Sequence, residues 1–192
     1  MNFDNLTKEI QNLLSEKEHV VIAVSGFGGS GKTTLAERLA SHFKDSTLLQ
    51  LDNFLINRGE GSGWSGGYDW KRFEHVLRDA KAGKDLHYQW YDWPKDETKD
   101  WIDQPLPPLL IVEGVRLLQP NLHPYFDLKI WIDCSIETAT EQGKDRDRAN
   151  KADADFDIES HIRKWDDIWI PKEKEYLAHF SPTKDADILY TY

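Results

Sequence analysis

The sequence predicts one α/β domain, a parallel sheet with helices on both faces, and three observations predict it. Short apolar runs alternate with segments of helical periodicity, the pattern of strands joined by crossover helices. One strand-to-helix junction is the glycine-rich stretch Gly26-Phe-Gly-Gly-Ser-Gly-Lys-Thr33. The chain has 192 residues, a length one core can serve, with no internal repeat and no linker long enough to divide it.

Taken in order, residues 3–16 place Phe3, Leu6, Ile10, Leu13 and Leu14 on one face of a docking helix. His19-Val-Val-Ile-Ala-Val24 reads as a buried strand. Beyond the glycines, Leu35, Leu39 and Phe43 recur at helical spacing beside Ala36 and Ala40. Thr47-Leu-Leu-Gln-Leu51 is the second strand, ending at Asp52. From Asn57 to Gly67 the glycine density predicts a mobile loop of the kind that closes over a ligand. Residues 70–81 form a helix with Phe73, Val76, Leu77 and Ala80 inward, ended by Gly83. Residues 84–107 mix aromatic and charged side chains without a long period and close on Pro105, Pro107 and Pro108, which predicts an irregular excursion or short hairpin above the sheet. Leu109-Leu-Ile-Val-Glu113 is the clearest buried strand, and Leu128-Lys-Ile-Trp-Ile132 is the next. Ser135 caps a helix, with Thr138 three residues on, that runs into the charged segment Lys144-Asp-Arg-Asp-Arg148. A further helix spans residues 158–176 with an interruption near Pro171, and Ile188-Leu-Tyr190 adds a last strand.

The glycine-rich stretch fits G-x-x-x-x-G-K-[ST], the phosphate-binding P-loop, in the strand–loop–helix context that motif needs. The fold class is therefore a P-loop NTPase fold with a short lid. Gly26, Gly28, Gly29 and Gly31 let the backbone curl, and with Ser30 and Thr34 they form a concave anion site at the positive end of a helix. Lys32 reaches the β- and γ-phosphates of ATP, and the Thr33 hydroxyl ligates Mg²⁺. The same residues satisfy G-x-G-x-x-G through Gly26, Gly28 and Gly31, with Asp52 downstream in the place of a ribose acid; Lys32-Thr33 separates the two motifs, because a dinucleotide site does not call for them.

A net charge of −10 argues against indiscriminate binding to nucleic acid polymers or anionic membranes, so the phosphate site must be positive locally. Cys134 is the single cysteine, which excludes an intramolecular disulfide and a cysteine metal cluster. The histidines form no H-x-x-x-H pair, so zinc is not expected. No apolar stretch approaches a membrane span and no signal peptide is evident, so a cytoplasmic protein is expected.

Ligands of open α/β sheets bind at the carboxyl ends of strands, where Asp52, Glu113 and Asp133 fall. Glu113 is placed to hold Mg²⁺ directly or through water. Asp52 is placed to accept the proton of an attacking hydroxyl, its bland alternative being a turn cap. Asp133 reads as a strand-end turn residue. Arg146 and Arg148, with Lys144 as a weaker candidate, can stabilise charge on a transferring phosphoryl group, or else belong to a solvated helix face. Five tryptophans fall at 64, 70, 90, 93 and 101, and two or three of them are expected to line an acceptor pocket for a flat or apolar group.

In this order the residues resemble the uridine kinase family of P-loop small-molecule kinases. Asp52-Asn-Phe54 is similar to its D-x-F-Y segment, Tyr68-Asp69 to its F-D pair and Tyr91-Asp92-Trp93 to its Y-D-F turn. Ile111-Val-Glu-Gly114 resembles its V-E-G strand, Arg146-Asp147 its R-D lid and Ala186-Asp187 its closing A-D. The match runs over residues 20–190, departing where Leu55 replaces the tyrosine after D-x-F and Asp96 a histidine after the Y-D-F turn. The resemblance implies a single kinase domain over residues 1–192, with a lid at about 144–155 and an acceptor-site insertion at about 53–107. It implies ATP and Mg²⁺, Asp52 as base, Glu113 at the metal, and Asp69, Tyr68, Tyr91 and Trp93 around a small-molecule hydroxyl acceptor, a nucleoside such as uridine or a related compound. A homo-oligomer is left open. The alternative from another class is a nucleotide-binding regulatory ATPase or GTPase switch without an acceptor; Asn150-Lys-Ala-Asp153 reads N-K-x-D, a guanine signature, but follows a run of charges rather than a buried strand.

Overall fold

A computed structural model describes residues 1–56, 61–92, 95, 97–150 and 157–192. Helix α1 (Phe3–Glu16) starts at Asn2, whose side chain accepts the Asn5 N–H, and buries Leu6 and Ile10. Strand β1 (Val20–Ser25) is buried along its length and feeds the glycine loop, after which helix α2 (Lys32–His42) buries Leu35, Ala36 and Leu39. Strand β2 (Ser46–Gln50) ends one residue earlier than its apolar pattern suggests: Leu51–Phe54 is a 3₁₀ turn, so Asp52 stands on a turn beyond the strand end.

Helix α3 (Trp70–Lys81) is capped by Asp69, which accepts the Arg72 N–H, and Gly83 at φ +72° stops it where an L side chain would be strained. Residues 84–107 hold a regular antiparallel hairpin, β3 (Leu86–Asp92) and β4 (Glu97–Gln104). Its period-two signal was obscured because a register shift between Gln89 and Tyr91 breaks the alternation begun by Leu86 and Tyr88, and no residue of β4 is fully buried. Strands β5 (Leu109–Gly114) and β6 (Leu128–Ile132) follow the apolar runs.

Helix α4 (Ile136–Asn150) turns Ala139, Gly143 and Asp147 inward at a four-residue spacing. Helices α5 (Ile158–Lys164) and α6 (Ile170–His179) are joined by a π-helical turn, Trp165–Trp169. The interruption thus lies just before Pro171. Proline has no N–H for the usual helical bond, and the Ile170 N–H reaches back five residues to the Trp165 carbonyl. The short helix α7 (Pro182–Asp185) and strand β7 (Ile188–Tyr190) complete the order.

The sheet has the order β2-β5-β1-β6-β7 and is parallel throughout. Residues Val20, Ile22 and Val24 pack with Leu6, Ile10, Leu35 and Leu39 on one face. Val21 and Ala23 join Phe73, Leu77, Tyr88 and Tyr176 on the other. The central strands β1 and β5 are buried on both faces, which is why they read as continuous apolar runs. Register brings Val24 and Gln50 level with Glu113 and Ser25 level with Gly114, so the carboxyl ends of β1, β2 and β5 meet where the glycine loop leaves the sheet. Among the described residues no helix is long and apolar enough to cross a membrane.

Candidate active site

The glycine loop is built by contacts that only glycine permits. Gly29 has φ +83°, and a Cβ there would lie 2.0 Å from the Ala139 carbonyl oxygen and 2.8 Å from the Gly143 nitrogen. The loop therefore rests directly on α4. A Cβ on Gly28 would meet the Trp165 ring at 3.1 Å, and one on Gly143 would meet the same ring at 2.2 Å. Loop, α4 and π-helical turn are in this way packed around one indole. Gly26 sits against Ser30 and Ile132. Gly31, at φ +92°, starts α2 without a side-chain cap, which leaves the helix N-terminus to an anion. The Ser30 hydroxyl is buried without a hydrogen-bond partner among the described residues. These features fit a phosphate chain. Thr34 lies on the first turn of α2 but not on the cleft wall.

Lys32 approaches the Glu113 carboxylate at 3.6 Å, with both side chains largely buried. Burial pushes the Glu113 carboxyl up; Lys32 and hydrogen bonds from Thr33 and Gln50 pull it part of the way back, while the charge of Asp52 adds to the rise. A cation beside Glu113 would relieve this strain. The Thr33 hydroxyl and Glu113 carboxylate form an oxygen pair suited to Mg²⁺, which typically takes one or two protein ligands plus phosphate oxygens.

These groups open into a cleft of about 430 Å³ whose wall includes Gly28, Gly29, Lys32, Thr33, Asp52, Tyr68 and Glu113. Asp52 is held there by Tyr68, whose hydroxyl donates to its Oδ1 at 2.9 Å. Leu55 and Tyr68 face each other across an isolated antiparallel bridge, so the phenol on Asp52 comes from the residue opposite Leu55. Burial, followed by the charge of Asp52, pushes the Tyr68 phenol well above its ordinary value and keeps it a donor.

From α4, Arg146 reaches the cleft while its guanidinium bonds the neighbouring Asp147 at 2.9 Å. The second Asp147 oxygen accepts the Trp165 indole N–H at 2.9 Å and lies 3.0 Å from His161 Nε2. Burial raises the Asp147 carboxyl, but these hydrogen bonds outweigh it and hold the group below the ordinary carboxylate range. Arg148 pairs with Asp145 and Lys144 with Asp166, and neither lines the cleft.

The other expected site residues are placed differently. Asp69 caps α3 and Tyr91 is buried in the hairpin, neither on the cleft wall. Trp93 and the N-K-x-D residues from Lys151 to Asp153 lie outside the described residues, as do residues 57–60 of the expected mobile loop. Trp64 and Trp70 pack into the core, Trp64 against Tyr176 and Phe180, while Trp90 and Trp101 are exposed. The tryptophans on the cleft are instead Trp165 and Trp169.

Among the Lys, Arg, Asp and Glu residues of the cleft, Arg116, Lys172 and Glu173 were not singled out from sequence. Arg116 follows Glu113-Gly114-Val115 in a left-handed conformation, φ +58°, and is only 4% exposed. Its guanidinium donates to the Trp64 carbonyl, lies 5.7 Å from the Tyr68 ring centre and places Nε 3.5 Å from Glu173 Oε1. Burial pushes the Glu173 carboxyl up, and Arg116 and then Lys32 draw it back. A lone arginine inside the apolar run after Glu113 was the one available signal; Lys172-Glu173 carried none, being ordinary helix residues. Lys32, Arg116, Arg146 and Lys172 face Asp52, Glu113, Asp147 and Glu173 on the wall, so the cleft is balanced in charge within a chain of net charge −10.

Comparison with known proteins agrees with this architecture. A family model described as the NB-ARC domain matches residues 3–54, the part that carries the glycine loop. The chain is 25% identical over 180 residues to a protein named uridine kinase from Borrelia hermsii, covering 88% of this chain and 84% of that protein. It superposes on a possible uridine kinase from Bacillus stearothermophilus with a TM-score of 0.69 at 21% identity, over 97% of this chain and 99% of that one. It superposes on a putative fructose transport system kinase from Silicibacter sp. TM1040 with a TM-score of 0.79 at 18% identity, over 99% of each chain. The fold is that of P-loop kinases, and the resemblance to uridine kinases carried by the motifs extends over most of the chain.

Proposed function

We propose that this chain is a cytoplasmic ATP-dependent kinase that transfers the γ-phosphoryl group to a hydroxyl of a small molecule. The observation that carries the reading is Asp52, a carboxylate oriented by Tyr68 on the same cleft wall as Lys32, Thr33 and Glu113. A regulatory switch needs no carboxylate poised there; a kinase needs one within reach of the acceptor.

In this reading the glycine loop and Lys32 bind the β- and γ-phosphates. Thr33 and Glu113 are the residues that would hold Mg²⁺, which supplies neutralisation of charge on the phosphate oxygens. Asp52 takes the acceptor proton as the new O–P bond forms and the bond from the γ-phosphorus to its bridging oxygen breaks, ADP leaving with that electron pair. Arg146 stands at the lid edge, exposed enough to swing onto the transferring group, with Asp147 fixing its base on α4. The names of the relatives support a nucleoside such as uridine as acceptor, whereas Asp69 and Tyr91 stand off the cleft wall.

The test is acceptor-dependent turnover. ADP release from Mg-ATP should rise when the acceptor is supplied, and the acceptor should raise the melting temperature further when a non-hydrolysable ATP analogue is present. Hydrolysis indifferent to every small hydroxyl compound would favour the switch.

A further inference from the structure

The donor half of the cleft is accounted for by the glycine loop, Lys32, Thr33 and Glu113. The same cleft also carries Asp52, Tyr68, Arg116, Lys172 and Glu173, two carboxylates and two cations around one phenol. The Tyr68 hydroxyl bonds Asp52, and Arg116 beside the Tyr68 ring pairs with Glu173, so the two carboxylates lie on this one group of residues. Glu173 is nine-tenths buried; Arg116 takes one of its oxygens at 3.5 Å, and Oε2 has no hydrogen-bond donor among the described residues. A buried carboxylate oxygen without a donor is costly, and a ligand O–H in this cleft would relieve it. An acidic acceptor would instead set like charge against Asp52 and Glu173. An apolar one would strip water from four charges and return no hydrogen bonds. Tyr91, the described aromatic of the turn expected to hold a base, is buried in the hairpin, and Asp69 is spent as a helix cap.

We infer that the acceptor is a compact, uncharged polyol of monosaccharide size, with one hydroxyl presented to Asp52 for phosphorylation and a second held by Glu173. This rests on the kinase reading and names its substrate class.

The experiment measures ADP release by the full chain with Mg-ATP against three sets of compounds at equal concentration. These are neutral monosaccharides and sugar alcohols, nucleosides including uridine and cytidine, and acidic counterparts such as sugar acids and sugar phosphates. A neutral polyol should be turned over with a kcat/KM at least about tenfold above every nucleoside and acid. Glu173→Gln should raise the KM of that polyol about tenfold, a larger change than in the KM of ATP. Should Glu173→Gln fail to fold, as judged by its melting transition, the wild-type comparison decides alone. A nucleoside or an acidic compound turned over ahead of every neutral polyol overturns the inference and leaves the kinase reading intact. ADP release that answers to no compound in any set, with ATP bound, overturns both.

Discussion

In the proposed reaction Lys32 and Asp52 divide the chemistry of the cleft between them. Lys32 is the cation that the glycine loop sets beside the phosphate cradle, partly buried against Glu113. Lys32→Ala should lower kcat/KM for ATP by about 10²–10³-fold with little change in melting temperature, because the side chain faces the cleft rather than the core. ATP turnover at the wild-type rate would remove the P-loop assignment. Asp52→Asn keeps the shape and the bond from Tyr68 but lacks the basic oxygen. Phosphoryl transfer should fall by about 10²–10⁴-fold, mainly in kcat, with ATP affinity little altered. In a switch hydrolysis would survive that change, so acceptor phosphorylation within a fewfold of wild type sinks Asp52 as base.

At the scale of elements, α4 is joined to the glycine loop through Trp165. Its ring packs against Gly28 of the loop and Gly143 of α4, and its N–H bonds Asp147, which in turn bonds Arg146. The π-helical turn exists because Pro171 denies the helix one bond, and the widened turn delivers both Trp165 and Trp169 to the cleft. Trp165→Ala should cost about 3–5 kcal/mol of stability by chemical denaturation, the range for emptying a buried aromatic site. It should also weaken ATP binding measured by titration, since the loop loses a wall. Unchanged ATP affinity in a folded variant would show that the indole supports the fold and not the loop.

For the whole molecule, Asp127 ties the two faces of the sheet together at the end away from the cleft. Its carboxylate takes Lys17 at 2.7 Å, Lys81 at 2.6 Å and the Val21 N–H at 2.9 Å, joining the residue after α1 to the last residue of α3 through β1. Burial raises this carboxyl, but the hydrogen bonds outweigh it and hold the group below the ordinary carboxylate range. A folded value below the unfolded one means stability that is present at neutral pH, where the unfolded carboxyl is ionised. It is lost as the pH falls below about 4 and through the folded value. Asp127→Asn should therefore lower the melting temperature by about 2–6 °C at pH 7 and by progressively less under acid conditions. An equal loss at both extremes would mean that the ionised carboxylate of Asp127 is not what stabilises the fold.

What could be read from the chain alone was whatever is encoded locally. Glycines with Lys32 and Thr33 mark a phosphate loop because backbone curl and charge are properties of adjacent residues; Glu113 announces a strand tip because apolar residues run up to it; Gly83 ends a helix by its own conformation. The hairpin lost its signal to a register shift, and Asp52 moved onto a turn because β2 pairs only as far as Gln50. The tertiary structure alone decided that β5 lies between β1 and β2, bringing Glu113 to Lys32, and that Trp165 and Trp169 reach the cleft while Trp64, Trp70, Trp90 and Trp101 do not. It alone paired Arg116 with Glu173 and Tyr68 with Asp52. The physical reason is that a polar side chain's partner across the fold is chosen by how sheet and helices stack, and no periodicity in the sequence records that choice.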